Sequence, residues 1–332
     1  MSTNSLNTKK IIYGFDLLKF ILAILIIAGH TSLFEEFSSL SLFRENISSI
    51  AVPTFMAISA FLFFKKIYSK EEGEESKDIL IKTVKRLAIL FLSWYVLMLP
   101  MTYFKFFSVA NFKETIFAFF FSCTFNGYWF IKALIINTCI FYICRNGNKL
   151  VICTLLSWLI YLFFSYNYLF HFIDFPFHPY YSFYYNMAYY SVGVLFARYG
   201  QNILSKNNLG IIIIISLLII FLLSYIKFFN PLYKILSIPL LFIFFYQLKL
   251  KSKPLYKTLR NMSIILYMVH FALIWFYDGV CNLYINQEST IFNVLQFSIT
   301  RFIIISCTAI IIALLIIKNE TKPRCNFLKY LH

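Results

Sequence analysis

Apolar runs of about 17 to 25 residues recur along the whole chain, and a run of that length is satisfied as a helix crossing a bilayer. The hydropathy divides the sequence into about ten of them, at 11–33, 49–67, 86–104, 126–144, 150–166, 181–197, 210–228, 231–248, 261–278 and 291–317. With 60% of the 332 residues hydrophobic and 13% charged, no water-soluble core could hide this much apolar side chain. The expected fold is therefore all-α: a polytopic membrane helix bundle of about ten transmembrane helices, one domain over 1–332 with short cytoplasmic tails. The apolar piece 115–123 is too short to span and is expected to be re-entrant or interfacial. Only nine glycines stand against 41 Phe and 24 Tyr, so the spans are expected to pack through bulky side chains.

Ten crossings place both termini on one side. With that side cytoplasmic, 22 of the 30 Lys and Arg fall inside and five outside, while Lys19, Lys132 and Arg301 lie within spans. The expected location is the inner (cytoplasmic) membrane, in contact with lipid on all sides. The net charge of +16 is spread over loop ends and forms no continuous basic face, which argues against nucleic acid as a partner. The apolar run after the first ten residues is over twenty long and has no A-x-A pattern, so the first helix is expected to be retained. The mixed-charge stretch 70–78 is expected to be a solvated connection. Seven cysteines without a CxxC pair lie mostly inside apolar runs and are expected to act as small apolar residues, neither metal ligands nor a disulfide framework.

Ionisable groups inside a span are costly, and either serve function or are held in structural pairs. Lys19 and His30 are eleven positions apart, about 20° past three full turns, so both project from one helix face about 16 Å apart. Asp16, three residues before Lys19, is placed to neutralise it. Two readings fit these three residues: a structural ion pair with a satisfied histidine, or a basic group and an imidazole lining one interior passage.

The spacing of Lys19 and His30 resembles the first-helix [RK]-x10-H motif of the acyltransferase-3 family of integral membrane acyltransferases. "VPTFMAISAFLFFKK" (52–66) is similar to the family's Phe-Phe-x-x-Ser-Gly-Phe pattern; Ser59 is kept, and Met56 and Ala60 replace an aromatic and the glycine. "KTVKRLAILFLSWY" (82–95) resembles the family's basic approach to the third helix, with Ile89 near the place of a downstream arginine. "NGYWFIKALI" (126–135) is similar to Trp-Phe-Leu-x-Ala-Leu, and "NMSIILYMVH" (261–270) to a late Ser-x-x-x-Tyr-x-x-His element.

The resemblance implies an O-acyltransferase, in particular an O-acetyltransferase, that uses cytoplasmic acyl-CoA as co-substrate and a hydroxyl of a cell-envelope or exported glycan as acceptor. No cofactor or metal is expected to be bound, and oligomeric state is left open. His30 is then the general base, since an imidazole titrates near neutrality, with Lys19 and Asp16 as its companions on the helix. Lys82, Lys85 and Arg86 are candidates for the phosphates of acyl-CoA, although positive-inside topology alone accounts for cations there. Ser59 is a candidate oxyanion donor, or back-bonds to its own helix. Tyr128 and Trp129 wall the acyl channel, stack on a sugar, or sit in the aromatic belt. Tyr267 and His270 form a second polar patch, and Arg301, about ten residues into the last span, is expected to have an acidic or carbonyl partner or to line a water-filled cavity. His171, Asp174 and His178 lie in a loop with aromatic and proline spacers, which argues against a metal. A transporter or lipid-linked glycan exporter is the competing class, but the paired, Gly/Pro-interrupted spans of two related halves are not seen.

Overall fold

The computed structural model describes residues 11–69, 73–98, 129–175, 179–200, 203–204, 210–285, 289–320, 322 and 328–332, and among these the regular structure is all helical. In chain order the helices are α1 (Tyr13–His30), α2 (Ser38–Ser49), α3 (Ala51–Tyr68), α4 (Glu74–Leu97), α5 (Trp129–Ile143), α6 (Gly147–Phe170) and α7 (Phe183–Tyr199). They continue as α8 (Gly210–Leu223), α9 (Asn230–Gln247), α10 (Pro254–Tyr284), α11 (Thr290–Gln296) and α12 (Ser298–Asn319). Short 3-10 turns at Pro179–Tyr181 and Lys227–Phe229 precede α7 and α9.

Six helical stretches among the described residues are long and apolar enough to cross a membrane: α1, Ser38–Tyr68 (α2 with α3), α6, Lys227–Gln247, α10 and α12. The chain is a multi-pass membrane protein. The count of about ten is not reached by this measure: α5 has 15 described residues and α8 14, both under an 18-residue span, while α7 has 17. The expected third span lies partly on α4, whose first turns are charged, and partly beyond the described residues. Segment 115–123 also lies outside them. The stretch expected as a solvated connection is helical from Glu74 onward. α8 has the surface of a lipid-facing helix: it buries Ile213 and exposes Ile211, Ile212, Ile214, Ile215, Leu218, Ile219 and Leu222.

The core is aromatic. Phe15 (α1), Phe61 (α3) and Phe242 (α9) meet at centroid distances of 4.6 to 5.8 Å, and Phe196 (α7) stacks on Phe242 at 4.7 Å. Bulk is not the whole packing rule, however, because two glycines let backbones touch. A Cβ on Gly193 of α7 would stand 2.0 Å from the Ala57 carbonyl oxygen of α3, and one on Gly14 of α1 would stand 1.9 Å from that of Phe245 on α9. Ala57 and Ala60 supply the facing small side chains. Ala60, standing where the resemblance expects a glycine, is thus part of one of the two close helix crossings described.

α1 and α10 pack side by side and run parallel. Tyr13 meets Tyr256 at 5.4 Å at one end, and His30 meets His270 at 5.2 Å at the other. α9 runs antiparallel to α1, since Gly14 at the start of α1 meets Phe245 near the end of α9.

Candidate functional site

At the far end of the α1–α10 pair two imidazoles lie together. His30 is the last residue of α1; its ring is 5.2 Å from that of His270, and both rings sit 4.4 Å from Phe271. His270 is 0% exposed, and among the described residues neither ring nitrogen makes a well-aligned hydrogen bond, although the backbone of Leu266 and Tyr267 lies close to the ring. His30 is exposed at the end of α1, with one side of its ring packed against His270 and Phe271. Among the described residues no carboxylate pairs with either ring.

From this pair a line of rings leads across the bundle. Tyr267 lies 5.8 Å from His270 and 5.2 Å from Phe130 of α5, beside Trp129. Trp129 meets Tyr180 and Tyr181 of the 3-10 turn at 5.5 Å each. At 5% exposure Trp129 is an interior side chain and not a belt residue. Ser59 is half-buried, one turn after Phe55, which meets Phe130 at 6.2 Å. It makes no hydrogen bond among the described residues, so the expected alternative of a back-bond is not found. Tyr128 lies outside the described residues.

The near end of the pair carries charge. Lys19 is within electrostatic reach of Asp16, Arg86, Arg260 and Lys66, so four helices (α1, α3, α4 and α10) bring cations to one place. Asp16 is buried at 6% exposure, with one carboxylate oxygen unpartnered. Among the described residues Asp16 is the one charge that favours the Lys19 cation, but the two make no direct ion pair within 4.0 Å, and Asp16 senses Arg260 more strongly than Lys19. The carboxylate is shared among cations on neighbouring helices instead of closing on the one three residues away. Lys82, Lys85 and Arg86 are all exposed, and of the three only Arg86 is among the charges that act on Lys19.

Arg260 was not singled out from the sequence, where it counts as one more loop cation. A signal was present: Arg260 and His270 repeat on α10, ten positions apart, the basic-then-imidazole order of Lys19 and His30 on α1. Parallel packing brings the two pairs into register.

Arg301 needs correction in depth. The expected span 291–317 breaks at Phe297 into α11 and α12, so Arg301 lies in the first turn of α12 and not ten residues into a helix. Its expected acidic partner is Asp278 of α10, 2.5 Å away. A cation at a helix N-terminus opposes the helix dipole, and the carboxylate offsets that. His171 and Asp174 are exposed beside the left-handed end of α6, and His178 is outside the described residues. No group of three or more His, Cys, Asp or Glu able to hold a metal is found among the described residues.

Residues 12–318 match the model of one protein family, described as an acyltransferase domain. No curated protein and no solved structure matches the chain.

Proposed function

Because the chain belongs to the acyltransferase-3 family, and so is a membrane acyltransferase for groups other than aminoacyl, we propose that it moves an acyl group from cytoplasmic acyl-CoA to a hydroxyl of a cell-envelope or exported glycan. An acetyl group is the proposed cargo, and the inner membrane with both termini cytoplasmic the proposed setting. One observation carries the reading: two parallel helices that both present cations at one end and imidazoles at the other.

Lys19, Arg86 and Arg260, with Lys66 at their edge, hold the phosphate oxygens of acyl-CoA through charge-assisted hydrogen bonds. Asp16 keeps these cations together against mutual repulsion. The acyl thioester then extends along the α1–α10 seam toward His30. His30 takes the proton of the acceptor hydroxyl as its oxygen attacks the thioester carbonyl; the carbon–sulfur bond breaks, and the leaving thiolate receives the proton back from His30. His270 and Phe271 hold the His30 ring from the side, and Ser59 is the proposed donor to the carbonyl oxygen. Trp129 and Tyr267 wall the approach.

The test is acceptor O-acylation in cells carrying His30→Ala at matched membrane abundance. Acylation lost with the protein present supports the assignment, and undiminished acylation removes His30 as base. Thermal protection of purified protein by acetyl-CoA separates this reading from a glycan transporter, which has no site for that donor.

A further inference from the structure

The outer end of α1 is overlain by a second charged group that the acyl transfer described above does not use. Arg44 lies on α2, four residues before Ser48, so the two share a face of that helix. Ser48 packs on Gly29: a Cβ placed on Gly29 would stand 3.2 Å from both the Cβ and the Oγ of Ser48. The face of α2 that carries Arg44 is therefore turned to the end of α1, one residue from His30 and about 6 Å further outward along the axis.

The Arg44 side chain is only 10% exposed, and among the described residues its partner is Glu45, 61% exposed, at 2.9 Å from the terminal nitrogen Nη2. Nε and Nη1 are buried and have no hydrogen-bond partner among the described residues. A guanidinium has a planar fork of donors matched to two oxygens of a carboxylate or phosphate. Nε and Nη1 point to different edges of that plane, each edge shared with the Nη2 that Glu45 holds; leaving them unpaired inside protein is costly, and an oxyanion arriving at either edge offsets part of that cost.

We infer that Arg44 is the acceptor-side anion site, receiving a carboxylate or phosphate carried by the acceptor whose hydroxyl faces His30. The acceptor is thereby an acidic glycan or a phosphate-bearing one. This rests on acyl transfer at His30, and it adds a determinant of acceptor choice that takes no part in the bond changes.

The experiment uses the full-length protein, purified in detergent with acetyl-CoA present, and reads thermal unfolding against D-glucuronate, inorganic phosphate and D-glucose. Glucuronate and phosphate are expected to raise the unfolding temperature, and glucose is expected to leave it unchanged. Arg44→Gln weakens the apparent affinity for both anions about tenfold or more, and Arg44→Lys falls between. Wild-type protection by the anions in Arg44→Gln overturns the inference. So does a dependence on Arg44 that appears only with the phosphatidylglycerol content of nanodiscs, which marks a lipid headgroup site. Should Arg44→Gln not fold, Glu45→Gln carries the test: freeing the third nitrogen raises glucuronate affinity, and an unchanged affinity overturns the assignment. If acylation survives His30→Ala while Arg44-dependent anion binding stands, the transfer reading fails and the anion site does not; the reverse pattern leaves transfer intact and removes the site.

Discussion

The two ends of the α1–α10 pair differ in kind. At one end Lys19, Arg86, Arg260 and Lys66 gather around one buried carboxylate; at the other His30 and His270 meet among aromatic rings with no carboxylate paired to either. A cluster of permanent cations is suited to holding a polyanion and poor at moving protons. Imidazoles without a charged partner have the opposite balance. The same two helices thus separate the cations from the imidazoles by about three turns, and in the proposed function that is the distance between donor binding and chemistry.

Breaking the imidazole end has the largest expected effect. His30→Ala is expected to lower acceptor acylation by about a hundredfold or more, measured as product per unit of membrane protein, while protection by acetyl-CoA persists. Disturbing the frame that holds both ends comes next. Gly193→Ala forces a Cβ against the Ala57 carbonyl, where neither backbone can give, and is expected to cost about 1–3 kcal/mol or more in thermal unfolding. Lys19→Ala and Arg260→Ala sharpen the contrast from the cation end. Each is expected to raise KM for acetyl-CoA about tenfold with little change in kcat, and the penalty shrinks as salt rises. Equal losses in kcat for these variants and for His30→Ala would erase the division between the two ends.

The smallest effect concerns the loop that closes the imidazole end. The Glu36 carboxylate accepts hydrogen bonds from the Ser298 N–H at 2.7 Å and from the Ser298 hydroxyl, and Ser298 Oγ also accepts from the Phe34 N–H at 2.9 Å. Burial pushes the Glu36 carboxyl up, and the Ser298 hydrogen bonds outweigh it and hold the group below its ordinary value. A carboxylate lowered in this way contributes stability that is complete above the unfolded value of about pH 4.3 and is lost as pH falls through the lower folded value. Glu36→Gln is expected to lower the unfolding temperature slightly near neutrality, where the carboxylate contributes fully, and the difference from wild type is expected to vanish through that acidic window.

Local period and hydropathy made much of this legible. The helical nature of the chain, the shared face of Lys19 and His30, and the need of Arg301 for an acidic or carbonyl partner or a water-filled cavity all follow from spacing and burial cost within one helix. What the sequence hid depends on which helices touch. His30 and His270 are 240 positions apart, and nothing within either helix announces the other. Asp16 does act on Lys19, but the i to i+3 rule weighs only its own helix and could not show that Arg260 of a parallel neighbour is the stronger influence on the carboxylate. The break at Phe297 carries neither glycine nor proline in "NVLQFSITR", so an apolar run gave no sign of stopping there.

The contact of Gly193 with the Ala57 carbonyl reaches beyond stability. Sliding or tilting α3 against α7 would pull apart two main chains that interlock without intervening side chains, two residues from Ser59. In the proposed transfer, a scaffold riveted at that point favours handing a small chemical group along a stationary frame over rocking between inward-open and outward-open shapes.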